Sequence, residues 1–161
     1  MKHAAAFMSQ ETTWETPQAF FDAINARYGF TLDACALPHN AKCTDYFTPE
    51  DDALTQRWEG VVWCNPPYSH GIGRWVQKAY DESRHGALVV LLIPARTETS
   101  WWHDYAMQAS EIVLIRGRMR FSGSPINAPF PSALVIFDPS RLSDAPVFTT
   151  MDRILDEREA A

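Results

Sequence analysis

Ala87-Leu88-Val89-Val90-Leu91-Leu92-Ile93-Pro94-Ala95 is apolar at odd and even positions alike. Strict alternation would mark a strand with one wet face, whereas an unbroken run rich in Val, Leu and Ile fits a strand covered on both faces, at the centre of a parallel sheet. The run is far too short to cross a membrane. Upstream, Val61-Val62-Trp63-Cys64 repeats the pattern on a smaller scale and stops at Asn65-Pro66-Pro67-Tyr68. Pro66 and Pro67 fix φ and remove two N–H groups, so the chain leaves this strand through a stiff turn. Asn65 brings a neutral side-chain carbonyl, Pro66 a backbone carbonyl, and Tyr68 an aromatic face. Two acceptors beside a flat face suit an aromatic amine; the plainer reading is a strand-terminating turn with a packed tyrosine.

On the amino-terminal side, Gln18 to Tyr28 carries apolar residues at helical spacing, with Thr16 expected as N-cap, Pro17 as first helical residue and Gly29 as the stop. Phe30 to Ala36 reads as a first strand whose small residues let a ligand approach the backbone. Ala41 to Phe47 reads as a second strand, and the acidic loop after it makes Asp45, Asp51 and Asp52 candidates for accepting paired ribose hydroxyls. On the carboxyl-terminal side, Ser69 to Arg74 reads as a flexible, glycine-hinged basic loop and Trp75 to Ser83 as a helix. His70 reads as a surface loop residue rather than a base. Thr97 to Ser100 caps a helix through Trp101, Trp102, Tyr105 and Met107, whose aromatics serve packing. Glu111 to Ile115 is a further strand. Arg116-Gly117-Arg118-Met119-Arg120-Phe121 interleaves cations with an aromatic, Ser122 to Pro131 is a loop, and Ser132 to Phe137 is the last expected strand. From Asp152 the chain is highly charged, as a frayed helix would be. Helices interleaved with apolar strands imply an α/β three-layer sandwich with a mostly parallel sheet, binding ligands beyond the strands' carboxyl ends.

The length, 161 residues, suits a single domain, here 1–161 with a core over about 13–137 and a charged tail over about 151–161. The first eight residues lack the apolar core of a signal peptide, and the reading is a cytoplasmic protein. Cys35, Cys43 and Cys64 are scattered and odd in number, which argues against a disulfide framework. Cys35-x3-His39-x3-Cys43 has a spacing open to metal ligation, but without a paired Cys-x2-Cys knuckle no metal is expected. The net charge of −6 is unusual for a protein meeting phosphates. Residues 71–120, directly after the double-proline turn, are the exception: seven basic against five acidic side chains, net +2.

Four stretches in order, Thr13-Trp14-Glu15-Thr16-Pro17, Leu32-Asp33-Ala34-Cys35-Ala36, Asn65-Pro66-Pro67-Tyr68 and Gly117-Arg118-Met119-Arg120-Phe121, resemble the motif set of the phage-type, Dam-like DNA N6-adenine methyltransferases, over residues 13–137. The resemblance implies a Rossmann-like S-adenosylmethionine-dependent methyltransferase fold with an antiparallel last strand. It implies S-adenosylmethionine as cofactor, held by Trp14, Thr16, Pro17, Asp33, Ala34, Cys35, Asp52, Ala53 and Leu54. It implies catalysis at Asn65, Pro66, Pro67 and Tyr68, with the adenine amine held by Asn65 and the Pro66 carbonyl while Tyr68 stacks on a flipped base. It implies DNA as partner, met by Arg74, Arg118, Arg120, Phe121 and Phe130, in a phage- or prophage-borne enzyme working inside a bacterium. One departure stands out: the glycine-rich cofactor loop common in methyltransferases is replaced by Asp33-Ala34-Cys35-Ala36 and Pro38-His39-Asn40. The same Asn-Pro-Pro-Tyr motif also resembles that of enzymes methylating glutamine amides in proteins, although no separate substrate-binding helical domain is visible. A non-catalytic nucleic-acid-binding module is the third reading.

Overall fold

In a computed structural model describing residues 14–69 and 71–154, seven strands form one sheet in the order β2-β1-β3-β4-β6-β5-β7. The strands are β1 (Leu32–Asp33), β2 (Asp45–Tyr46), β3 (Val61–Cys64), β4 (Leu88–Pro94), β5 (Glu111–Arg116), β6 (Ser132–Phe137) and β7 (Val147–Asp152). Helices α1 (Gln18–Tyr28), α2 (Ile72–Arg84) and α3 (Ser100–Asp104) join short 3₁₀ turns at Pro49–Asp51, Ala53–Thr55 and Ala106–Gln108. β4 is buried along its length apart from Leu88. Neighbours cover it on both edges, parallel β3 and antiparallel β6.

Two apolar layers sandwich the sheet. On one face Val89, Leu91 and Ile93 pack with Ile72, Val76 and Ala79 of α2 and with Trp102. Those α2 positions lie three and four residues apart, so their side chains form one stripe. On the other face Val90, Leu92 and Trp63 meet Phe20, Phe21 and Ile24 of α1 together with Met119, Phe121 and Phe130. Gly60 precedes β3 with φ +77°, and a Cβ there would come 2.6 Å from Thr31 Oγ1. That hydroxyl both accepts from Val61 N and donates to Val61 O, so the entry to β3 requires glycine.

Register decides where the site lies. Leu32 pairs with Val62 and Asp33 with Trp63, so β1 ends one step before β3 does. The chain runs outward from β1 to β2 on one side and to β3 and β4 on the other, which opens a crevice between the ends of β1 and β3.

The sequence-based expectations hold for the mostly parallel sheet, and β6 is antiparallel to both neighbours. It is not the last strand, because β7 follows and pairs parallel to β5 along its whole length. Met151 and Asp152 therefore belong to a strand, Arg153 and Ile154 to neither strand nor helix, and the rest of the expected frayed helix falls on residues outside those described. The expected loop to Arg74 is shorter: α2 begins at Ile72, so Gly73 and Arg74 are helical. Gly73 serves packing there, since a Cβ would lie 3.0 Å from Trp101 Cβ. His70 lies outside the described residues. The N-cap of α1 is Pro17, with Thr16 one residue further out.

Candidate active site

The crevice holds a cavity of about 280 Å³. Ten of the expected residues line it: Trp14, Thr16, Asp33, Ala34, Cys35, Asp52, Ala53, Asn65, Pro66 and Pro67. Pro17, Leu54 and Tyr68 do not. Pro17 is buried at the start of α1, and Leu54 sits in the 3₁₀ turn behind Ala53.

Asn65 is the best-defined side chain. Its Nδ2 donates to the Trp14 carbonyl at 2.6 Å and to Thr16 Oγ1 at 3.0 Å. Its Oδ1 is buried with no partner among the described residues. A buried acceptor left unpaired costs roughly 1–3 kcal/mol, and a donor brought to Oδ1 would recover that cost. Three residues on, Tyr68 donates its hydroxyl to the Leu92 carbonyl at 2.9 Å. Its ring meets Phe121 and Phe130 edge to face, with centroids 6.0 and 5.5 Å away. Burial pushes the Tyr68 phenol well above its ordinary pKa, so it stays neutral and anchors the ring.

Asp33 is 2% exposed. Its Oδ1 accepts from Cys35 N at 3.2 Å and its Oδ2 from Lys42 N at 3.0 Å, shaping the loop that stands where a glycine-rich turn was not found. Burial raises its pKa to about 6, and the two backbone N–H donors offset only part of that. A carboxylate so placed is short of positive charge. Burial and Asp33 push the Cys35 thiol up to about 12, which keeps it protonated and unreactive. Of the three acidic candidates for a ribose, Asp51 spends its carboxylate on Thr48 N and Oγ1, and Asp45 is exposed on β2 away from the cavity. Asp52 reaches the cavity from a left-handed backbone, φ 50°. His39 meets Glu15 at 3.3 Å, and among the described residues no three His, Cys, Asp or Glu side chains gather as metal ligands.

The expected DNA-facing residues lie apart from the cavity lining. Arg74 and Arg118 are exposed. Arg120 donates to the Pro125 carbonyl at 2.6 Å. Phe121 and Phe130 are buried, 1% and 9% exposed, and brace Tyr68 and Trp14 edge-on instead of presenting a free face. Lining residues that sequence reasoning missed include Glu15, Asn40, Lys42, Phe47, Thr48 and Trp75. Glu15 sits at the variable position of the Thr13 to Pro17 stretch, and the others reach the cavity through tertiary placement.

The family model described as DNA N-6-adenine-methyltransferase (Dam) matches residues 4–143. The chain belongs to that family. This Dam-family chain is 33% identical over 141 residues to the DNA N-6-adenine-methyltransferase of Haemophilus phage HP1, covering 81% of each chain. It is 35% identical over 106 residues to the DNA N-6-adenine-methyltransferase of Escherichia phage T1, covering 63% of this chain and 44% of that one. Both alignments are with phage proteins, in keeping with the resemblance carried by the four motifs. Among the described residues of this Dam-family chain no helix is long and apolar enough to cross a membrane.

Proposed function

We propose that this protein methylates the exocyclic N6 amine of adenine in DNA, with S-adenosylmethionine as donor. The observation that carries the reading is the orphaned Oδ1 of Asn65, a buried acceptor on a residue that lines the cavity, in the turn that also carries Tyr68.

The cavity residues fit the donor by their chemistry. Asp33 offers an underpaired carboxylate to an ammonium, Asp52 a carboxylate to ribose hydroxyls, and Ala34 and Ala53 small surfaces for close approach. The bound donor would supply an electrophilic methyl group on a sulfonium. Everything else falls to the chain. The adenine amine is a poor nucleophile because its lone pair is delocalised into the ring. Asn65 Oδ1 and the Pro66 carbonyl accept its two hydrogens and so favour a tetrahedral nitrogen whose lone pair is free to attack. Both acceptors are neutral dipoles, suited to a nitrogen that gains positive charge during attack. Tyr68, fixed at its hydroxyl and at two edges, braces the extruded base and replaces part of the stacking lost on flipping. The protein contributes position and electrostatics, without a nucleophile of its own.

The test is transfer of labelled methyl from S-adenosylmethionine to unmethylated duplex DNA, followed by digestion to nucleosides. Label in N6-methyladenine is expected; label only in protein, or in neither, overturns the reading.

A further inference from the structure

The amide of Asn65 is held by groups that differ in what they can accept and donate, and that difference fixes its orientation. The Trp14 carbonyl can only accept, and it lies 2.6 Å from Nδ2. Turning the amide over would press Oδ1 against that carbonyl, acceptor on acceptor. Thr16 Oγ1 takes the second Nδ2 hydrogen at 3.0 Å, and Thr16 is itself 3% exposed. With both hydrogens spent on one side, Oδ1 is left buried and unpaired.

The segment that does this is tied down on all sides. Glu15 O accepts from Ser122 N at 2.9 Å, in an isolated antiparallel bridge to the loop after Phe121. The Trp14 ring sits edge-on to Phe121 and Phe130, each 5.4 Å away. The Glu15 carboxylate accepts from Asn40 Nδ2 at 3.0 Å. Pro17 O accepts from Phe21 N in the first turn of α1. A hydroxyl on so fixed a segment is a reference point against which another side chain is set.

We propose that Thr16 is a positioning residue for methyl transfer: with the Trp14 carbonyl it locks the Asn65 amide so that Oδ1, and not Nδ2, faces the reacting amine. Sequence resemblance would place Thr16 on the cofactor; in the structure its hydroxyl serves Asn65. The inference rests on the reading of Asn65 as acceptor for the amine, and the experiment separates the two.

Thr16→Val keeps the shape and removes the acceptor, while Thr16→Ser keeps the acceptor. Thr16→Val is expected to lower kcat about 10- to 100-fold with the S-adenosylmethionine Kd, from calorimetry, within twofold of wild type. Thr16→Ser is expected within threefold of wild type on both. Donor affinity lost in parallel with turnover would make Thr16 a donor ligand, and unchanged kcat, or equal loss in both variants, would equally overturn the proposal. An independent readout is hydrogen exchange at the Asn65 side-chain amide, assigned by its loss in Asn65→Ala. Protection in wild type and Thr16→Ser, with at least tenfold faster exchange in Thr16→Val, is expected; equal exchange in all three overturns it. Should wild type transfer nothing to DNA, the functional reading falls while the exchange experiment still decides this one. Should Thr16→Val not fold, Asn65→Asp decides: an ionised carboxylate would face the Trp14 carbonyl, so its activity relative to wild type must fall as pH rises from 5.5 to 8. A ratio independent of pH overturns the lock.

Discussion

At the scale of single residues, Asn65 and Asp33 show two ways of holding a polar group out of balance. Asn65 keeps one end of its amide fully paired and the other bare. Asn65→Ala removes both, and the expected outcome is loss of at least 100-fold in kcat with donor affinity unchanged. Near-normal turnover, measured as labelled methyl incorporated into DNA, would dismiss the clamp. Asp33 is held back by burial, with its pKa raised from 3.8 to about 6. A group so raised binds its proton more tightly in the folded state, so its effect on folding stability is favourable at low pH and declines as pH rises from about 4 to about 6. A cation placed beside it reverses this preference. Affinity for S-adenosylmethionine should therefore drop by up to about tenfold per pH unit below pH 6 and level off above it. Flat affinity from pH 5 to 7.5 by calorimetry would mean that the ammonium lies elsewhere. Asn65 was legible because it ends an apolar strand at a double proline, and Asp33 because Leu32 to Ala36 resembles a family motif. Their partners were not: nothing local in Trp14 or Lys42 says that the Trp14 carbonyl or the Lys42 N–H turns toward the site.

At the scale of elements, the sequence reads well where a strand is long and apolar and poorly where pairing comes from elsewhere. β4 was legible from composition alone, and β1, reduced to Leu32–Asp33, kept its place if not its length. β7 was missed because Val147-Phe148-Thr149-Thr150-Met151 is followed at once by charge, and its residues are largely exposed on both faces. What holds it is β5 along one edge and a buried carboxylate at the base. Glu111, 4% exposed, accepts from Thr149 Oγ1 at 2.8 Å on β7, from Arg27 at 2.9 Å in the last turn of α1, and from Arg141 at 3.3 Å. Burial pushes its carboxyl up, but the hydrogen bonds from Thr149, Arg27 and Arg141 outweigh that and hold it below the usual range. A lowered acid stabilises the fold above its unfolded pKa, and that stability is lost as pH falls through its folded value. Glu111→Ala should cost about 2 kcal/mol in urea unfolding at pH 7, less than the 3–5 typical of a broken buried pair because both arginines are half exposed. The cost should shrink on approaching pH 4. A cost below about 0.5 kcal/mol at pH 7 would show that the backbone ladder alone secures β7.

For the whole molecule, charge and topology pull in different directions. The crevice gathers its residues by strand order, which is why widely separated motifs at Trp14, Asp33 and Asn65 line one cavity although spacing alone could not place them. The charge, −6 overall, does not gather in this way. Of the seven basic side chains in residues 71–120, Lys78 pairs with Glu82 at 2.7 Å and Arg116 forms a two-pronged bond with Asp152 at 2.6 and 3.0 Å. Arg84 lies over the Tyr80 ring, and of the others Arg74, Arg118 and Arg120 are the ones whose sequence positions flank the Asn65 turn and the Phe121 loop, which makes them the candidates for phosphates. Each neutralised phosphate contributes about −0.9 to the slope of log K against log salt on duplex DNA. Three contacts predict a slope of about −3, shallow for a protein that must find its site along DNA. Fluorescence anisotropy on a short duplex between 50 and 300 mM salt measures it. Substituting Arg74, Arg118 or Arg120 by Gln should each reduce the slope by about one and weaken binding to all sequences alike, as phosphate contacts do. A slope steeper than about −6, unmoved by those substitutions, would assign the DNA interface to another part of the chain and leave the loop after Tyr68 and the Arg118 to Phe130 segment to read bases alone.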